Sequence, residues 1–496
     1  MNTPMKESKM FALCERLIAL SSKYNKAGKY QKCIHYVKVA SRILYAYNWR
    51  LADERLESIL KDASKQIKKA VPSAKKNVVV FYDAISFDNR GLTQQYIRAI
   101  IKNGYELYYM TNRHEDDKSN LQTIKELVNN NCNICHVPAF NTYLEKSQYI
   151  YNYIIEHSVS KVFMHLRPDS VSEIVAFYAL SKEIVRYQVN LTSHAFWLGS
   201  GCIDYSLEFN EYGFLTSEFV RKIPHDKLLY LPFYPISEDS TPYSEITEIN
   251  DNRIVLMSGG VVYKITDPYD TFLNVVHKIL LENSNSIFLW AGGGDLTYIS
   301  NFIKKHHIEN RFYLIGNRTD INAVFDRIDI YFNTYPVGGG LMCQLAALHK
   351  KPILSYSESG RVASEAEQTI CQLKKISLTC YNKDELLKEA HKLIIDSGYR
   401  KQRGEMMSSC VVDIDLFGTM FKTLVETHQS VNLPPHICNE IPHYFDQLNT
   451  DEEVLRVLVK ELKWDIFRFR KYVLFDLIKY ILLFKALNVV RRKINK

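Results

Sequence analysis

The sequence predicts an α/β chain made of two facing Rossmann-like domains, and three observations carry that expectation. Short apolar runs of strand length alternate with segments of helical periodicity from residue 77 to residue 355. The runs are apolar along their whole length rather than at every second position, as strands covered by helices on both faces must be. The pattern occurs twice, on either side of a proline-marked segment, Leu231–Asn252, that contains Pro232, Pro235 and Pro242.

Composition agrees. The chain has 496 residues, 46% apolar and 24% charged, which excludes a collagen, a disordered tail protein and a long coiled coil. At roughly 150 residues per domain there is room for about three. Formal net charge is +8, but residues 461–496 hold ten Lys and Arg against three acids, a net +7. The remainder is nearly neutral, which argues against nucleic acid as a partner. The first twenty residues contain no long apolar run and no small-residue cleavage site, and ten scattered cysteines suit a reducing compartment. A cytoplasmic location is the expectation. Cys132-Asn-Ile-Cys135-His136 matches the string that attaches a c-type haem, but that chemistry needs export; the string reads as a helix end and a short strand.

Residues 1–72 read as a helical cap, with apolar residues at helical spacing in Phe11, Leu13, Leu17 and Ile18 and again in Ile34, Val37, Ile43 and Leu44. The stretch from Tyr24 to Tyr36, with Gly28 in its turn, resembles one tetratricopeptide unit, but no second copy follows at about 34 residues, so a solenoid is excluded. The N-terminal Rossmann-like domain spans 73–240. Its strands are read at Asn77–Tyr82, Tyr105–Met110, Ile134–Val137, Lys161–His165 and Val185–Leu191; its helices are read at Thr93–Lys102, Leu121–Asn129, Ser147–Glu156 and Ser172–Leu180. The C-terminal domain spans 241–430. It places strands at Arg253–Met257, Ser286–Trp290, Phe312–Ile315, Ile330–Phe332 and Pro352–Ser355, with helices at Asp270–Leu281, Tyr298–Lys305, Ile321–Asp326 and Leu341–His349. Residues 431–496 read as C-terminal helices ending in a basic amphipathic tail. Its apolar run is broken by Asp476, Lys479, Lys485 and Asn488, so the tail is expected to lie on an anionic membrane surface rather than to cross it.

Facing parallel sheets bind ligands beyond the carboxyl ends of their strands. After the first strand stand Asp88, Arg90 and Gly91, just before a helix start that can face an anion or a sugar. After another strand come His165, Arg167 and Asp169, candidate base or acceptor-side groups. His194 ends the next strand and precedes the glycine turn Gly199-Ser-Gly201, where an imidazole can take a proton. In the second half Gly259 and Gly260 let the backbone approach a ligand, and Lys264 is placed to meet a diphosphate. The strongest signal is Asn333–Leu348: a strand ends, Gly338, Gly339 and Gly340 turn the chain, and a helix starts through Leu341, Met342 and Gln344. Free amides and a positive helix end then converge on one spot, a phosphate cradle. Gly292–Gly294 and Asn317, Arg318 and Thr319 are read as lining the nucleoside side.

These motifs carry a family resemblance. Tyr263-Lys264-Ile265, Asp267-Pro268, Ser286–Trp290 and the spacing to Gly338–Gly340 and Lys351-Pro352-Ile353 resemble the nucleotide-binding half of O-GlcNAc transferase and its bacterial relatives, within the GT-B glycosyltransferases. Gly199–Tyr205 resembles that group's first-half loop, and Gly360–Ser364 a segment after its nucleotide site. The resemblance implies a GT-B fold and a UDP-sugar donor whose diphosphate is held by Lys264 and the helix start at Gly340–Met342. It also implies that no metal or other cofactor is required. Where the family has His-Thr-Thr this chain has Gly340-Leu341-Met342, and its ribose-binding Asp is absent, with Gln344 or Leu345 there. Glu358 and Glu365 stand one residue too close for the Glu pair of retaining enzymes, which favours inversion. The expected activity is transfer of a sugar to a hydroxyl, with His194 as base and Asp88, His165 and Asp169 as rivals. The basic tail points to a lipid-linked saccharide acceptor in surface polysaccharide synthesis, at the inner face of a membrane. A protein acceptor, a non-catalytic subunit that steadies a partner transferase, and a GT-B sugar-nucleotide epimerase, which would need neither acceptor nor tail, are the alternatives.

Overall fold

A computed structural model describes residues 3–71, 75, 77–88, 92–236, 241–249, 253–358, 365–435, 451–473 and 478. The cap consists of α1 (Thr3–Lys26), α2 (Tyr30–Tyr47) and α3 (Glu54–Ser64). Gly28 turns the chain between the first two with φ +67°, and Asp53 caps α3 by accepting from the Arg55 and Leu56 amides.

The first α/β half contains β1 (Val78–Asp83), α4 (Thr93–Lys102), β2 (Glu106–Thr111), α5 (Leu121–Asn129), β3 (Asn133–His136), α6 (Tyr143–Glu156), β4 (Lys161–His165), α7 (Val171–Ala179), β5 (Val185–Val189), β6 (Tyr205–Glu208), α8 (Glu211–Leu215) and β7 (Leu228–Tyr230). The strands form a parallel sheet in the order β3-β2-β1-β4-β5-β6-β7. Alternate residues of one strand serve different cores, as the pleat requires. Val78, Val80 and Tyr82 pack with α6, α7 and the cap. Val79 and Phe81 pack with α4.

The second half contains β8 (Ile254–Val261), α9 (Thr271–Glu282), β9 (Ser286–Gly293), α10 (Thr297–Lys305), β10 (Phe312–Leu314), α11 (Ile321–Arg327), β11 (Ile330–Phe332), α12 (Gly340–Leu348), β12 (Ile353–Tyr356), α13 (Glu367–Ile370), β13 (Thr379–Cys380), α14 (Lys383–Ile395) and α15 (Ser397–Ser408). Its parallel order is β10-β9-β8-β11-β12-β13. The expected double α/β architecture is therefore present, and both sheets are covered on both faces.

Two C-terminal elements pack differently from their place in the sequence. Helix α16 (Ile414–Thr427) falls within the 241–430 segment, yet Phe417, Met420, Phe421 and Leu424 are buried in the core of the first sheet, with the Phe417 and Phe421 rings edge-on to Tyr96. Helix α17 (Asp451–Leu462) and the 3₁₀ turn Lys463–Phe469 dock on the cap. Lys38 pairs with Glu461 at 3.0 Å, and the Tyr36 hydroxyl donates to Asp465 at 3.3 Å. Phe469 is buried, while Trp464 and Phe467 stand exposed. The first part of the basic tail is thus a packed element, and Phe469 is not available to a membrane. Most of the tail beyond Val473 lies outside the described residues. Among the described residues no helix is long and apolar enough to cross a membrane.

Candidate functional site

Each sheet has one place where its strand order reverses: between β1 and β4 in the first, between β8 and β11 in the second. Loops that leave those strands at their carboxyl ends form a ligand crevice.

In the second half these loops interlock. A Cβ on Gly259 would lie 2.5 Å from the Ala291 carbonyl oxygen and 3.2 Å from the Met342 side chain, so only glycine lets the ends of β8, β9 and α12 approach. Lys264, on the turn after β8, donates from Nζ to the Gly338 carbonyl at 3.2 Å, and its own carbonyl accepts from the Val337 amide at 3.2 Å. Burial lowers the affinity of this ammonium for its proton. The first helical bond of α12 runs from the Cys343 amide to the Gly339 carbonyl, so the amides of Gly340, Leu341 and Met342 precede the ladder. The Gly339 amide donates to Asn333 Oδ1 at 2.9 Å, which leaves those three amides, rather than Gly339, as the cradle. Asn317 sits against Gly293, where an added Cβ would be 2.9 Å from its Nδ2. The structure thus gathers Gly259, Gly260, Lys264, Asn317, Gly338, Gly340 and Met342 at one edge of the sheet.

Three residues read as nucleotide-binding have other partners. Arg318 donates from Nε to Asp320 at 2.8 Å, and Thr319 bonds the Thr241 hydroxyl at 2.8 Å. Thr319 thereby ties the linker to the second half, as does the bond from the Arg318 guanidinium to the Ser244 carbonyl. Gln344 is fully buried and donates to the Phe233 carbonyl at 3.2 Å, which ties α12 to the first half instead.

Among the rival bases, three are engaged in holding the fold. His165 has no exposed surface; its Nδ1 meets Asp83 Oδ1 at 3.1 Å and the Thr93 hydroxyl at 3.3 Å. Burial opposes ionisation of Asp83, but the His165 ring and the bonds from Thr93 and Ser86 outweigh it and hold the carboxyl low. Asp169 accepts from Arg42 Nε at 2.6 Å. Asp88 accepts from the Gln122 and Thr123 amides at 2.8 Å and so caps the start of α5. None of the three faces the α12 cradle. Arg90, Gly91 and the segment 360–364 lie outside the described residues.

His194 does face it. A cavity of about 240 Å³ between the halves is lined by Leu191, Ser193 and His194 from the first half and by Gly340, Leu341 and Thr369 from the second. Burial, helped by the positive charge of Arg221, holds the His194 imidazole down at about 4, so at neutral pH it is uncharged. Its segment is braced by residues that sequence patterning does not single out. Arg221, stacked over Trp197 at 5.1 Å, donates to the Ser193 and Ala195 carbonyls at 2.9 and 2.6 Å. Asn48, from the end of α2, donates to the His194 carbonyl at 2.9 Å, and Glu57, from α3, accepts from the Gly199 amide at 2.6 Å. The arrangement sets an uncharged imidazole on one wall and the first residues of α12 on the other.

Among the described residues no cluster of three or more His, Cys, Asp or Glu is placed to hold a metal ion.

No protein-family model matches the chain, and no curated protein is similar to it in sequence. Solved structures are similar in fold. A Thermobaculum terrenum O-GlcNAc transferase mutant aligns over 84% of this chain and 83% of its own at 14% identity, with a TM-score of 0.49. A glycosyltransferase from Rickettsia africae aligns over 71% of this chain and 98% of its own at 13% identity, with a TM-score of 0.53. HepE of Anabaena, solved in complex with UDP, aligns over 70% and 99% at 10% identity, with a TM-score of 0.50. The chain has the GT-B fold expected from its motifs, and its resemblance to that group of enzymes holds at the level of fold.

Proposed function

We propose that this chain is a glycosyltransferase that moves a sugar from a UDP-linked donor to a hydroxyl of a lipid-linked saccharide, with inversion at the anomeric carbon. The observation that carries the reading is the small cleft in which His194 meets the start of α12, with Lys264 clipped to Gly338 beside it. A diphosphate seated at the amides of 340–342 receives backbone donors and one ammonium, the donor set a departing UDP needs. The acceptor hydroxyl approaches from the first half, attacks the anomeric carbon from the face opposite UDP, and gives its proton to His194. The C–O bond to the acceptor forms as the bond to UDP breaks, and the negative charge ends on the diphosphate. Support for the donor comes also from the GT-B fold shared with HepE, a protein solved with UDP.

Turnover of a UDP-sugar panel by the purified chain, read as UDP release, tests this. UDP binding with turnover of at least one sugar supports it; absence of UDP binding overturns the donor assignment. A second reading rests on Gln344, whose carboxamide is bonded to Phe233 where a ribose-binding acid is expected by resemblance. A non-catalytic subunit, steadying a partner transferase, would bind UDP without turnover until that partner is added.

A further inference from the structure

A second cavity, of about 540 Å³, opens beside the site between the cap, the loops after β1, β4 and β5, and α17. That volume falls within the ~300–1,000 Å³ of small-molecule sites. Its walls are largely apolar: Ile43 and Ala46 come from α2, Ile85 from the loop after β1, Leu191 from the loop after β5, and Val454 and Val457 from α17. Charge comes from Arg42, Arg113 and Arg167, with Asp169 and Glu453. Partners distinguish the three guanidiniums. Arg42 is bonded to Asp169 at 2.6 Å, and Arg113 pairs with Asp117 at 2.9 Å while lying over the Phe87 ring. Arg167 reaches Asp169 only at 3.5 Å, and its side chain is 56% exposed. It is the cation that a ligand can recruit without breaking a short ion pair.

Position supplies the rest. Leu191 lines both this cavity and the His194 cleft, so the two chambers share a wall. Helix α17, which forms the far wall, runs on into the turn that exposes Trp464 and Phe467 and into the segment holding a net +7. An apolar chamber, an available arginine and a wall continuous with exposed aromatics fit an amphiphile with an anionic head.

We infer that this cavity seats the hydrocarbon chain of a lipid phosphate, with Arg167 at the phosphate. The glycan borne by that phosphate then passes Leu191 to His194. The inference rests on the glycosyltransferase reading and assigns its acceptor a place. Apolar walls alone would also suit peptide side chains; the arginine and the exposed aromatics favour the lipid.

Calorimetric titration of the full chain with farnesyl phosphate, below its aggregation threshold, tests it. Binding is expected to saturate, and geranyl phosphate to bind at least tenfold more weakly, since each buried methylene is worth about fourfold. Arg167→Ala should weaken farnesyl phosphate at least tenfold and farnesol less than twofold. Val457→Trp should narrow the chamber and weaken both at least tenfold, with UDP binding as the check that the variant is folded; if it does not fold, the exposed Arg167→Ala decides. No saturable binding of farnesyl phosphate, or equal binding by wild type and Arg167→Ala, overturns the inference. UDP binding without farnesyl phosphate binding removes the cavity's assignment and leaves the donor reading standing; the converse removes the donor reading and leaves the cavity.

Discussion

Two side chains carry most of the proposed chemistry, and each makes a prediction. Lys264 contributes one ammonium to a site whose other donors are backbone amides. Lys264→Ala removes a contact that strengthens as UDP departs, so turnover should fall ~100-fold, about 3 kcal/mol of transition-state stabilisation. Among the described residues its ammonium donates only to the Gly338 carbonyl, so the melting temperature should move little. Steady-state kinetics with a thermal melt check both; wild-type turnover would reject the donor site. At His194 the sign of the pH effect follows from a depressed folded-state value. Above about 6.5 the imidazole is neutral in folded and unfolded chains alike. As pH falls, the unfolded chain takes up a proton that the folded chain refuses until about 4. Stability is therefore lost between those values, by on the order of 3 kcal/mol in full. Urea unfolding at pH 7 and pH 4.5 should show a smaller difference in His194→Gln than in wild type, and the same variant should lose ~10²–10⁴ in kcat/KM if the ring is the base.

At the scale of elements, the cap is more than a cover. Helices α2 and α3 reach the reacting edge of the first half through Asn48 and Glu57. Glu57 accepts from the Gly199 amide and the Tyr178 hydroxyl, both at 2.6 Å. Glu57→Ala strands two donors in a buried place and should cost about 2–4 kcal/mol, with Glu57→Gln milder because it keeps one acceptor oxygen. Chemical denaturation ranks the two; equal midpoints for Ala, Gln and wild type would show that the cap does not brace this loop. Helix α16 is the other cross-brace. It returns from the second half to pack Phe421 at 5.4 Å from Phe163, and both rings are buried. Phe421→Ala should cost about 3–5 kcal/mol, read as a lower denaturation midpoint.

At the scale of the whole molecule, the net positive charge is concentrated at the C-terminal end of the chain, whereas the residues of the cleft lie in its middle. Residues 463–473 dock on the cap, so a truncation that leaves these contacts whole starts after Val473 rather than at 461. Removing 474–496 should release the protein from anionic liposomes and leave UDP affinity unchanged, because each basic residue near such a surface contributes about 1 kcal/mol. Binding of the full chain should also weaken at high salt, where the Debye length shrinks to ~3 Å at 1 M. Co-sedimentation at two ionic strengths decides it; a full-length protein that stays in the supernatant would take away the tail's membrane role.

The sequence alone determined that two parallel sheets form, and nearly where. Strands covered on both faces must be apolar throughout, and that requirement is written locally, so Lys161–His165 and Thr93–Lys102 are found at the residues where they were expected. The two-residue strand β13 is too short to show a period. The glycine turn before α12 was legible too, because a strand end, a turn and a helix start are neighbours in the chain. Tertiary structure alone decided which polar groups are already engaged. His165 finds Asp83 across 82 positions, Gln344 finds Phe233 across 111, and Asp169 finds Arg42 across 127. Periodicity reports a residue's own surroundings, whereas the partner that occupies its lone pair is brought there by the path of the whole chain. That path left His194, not its rivals, facing α12.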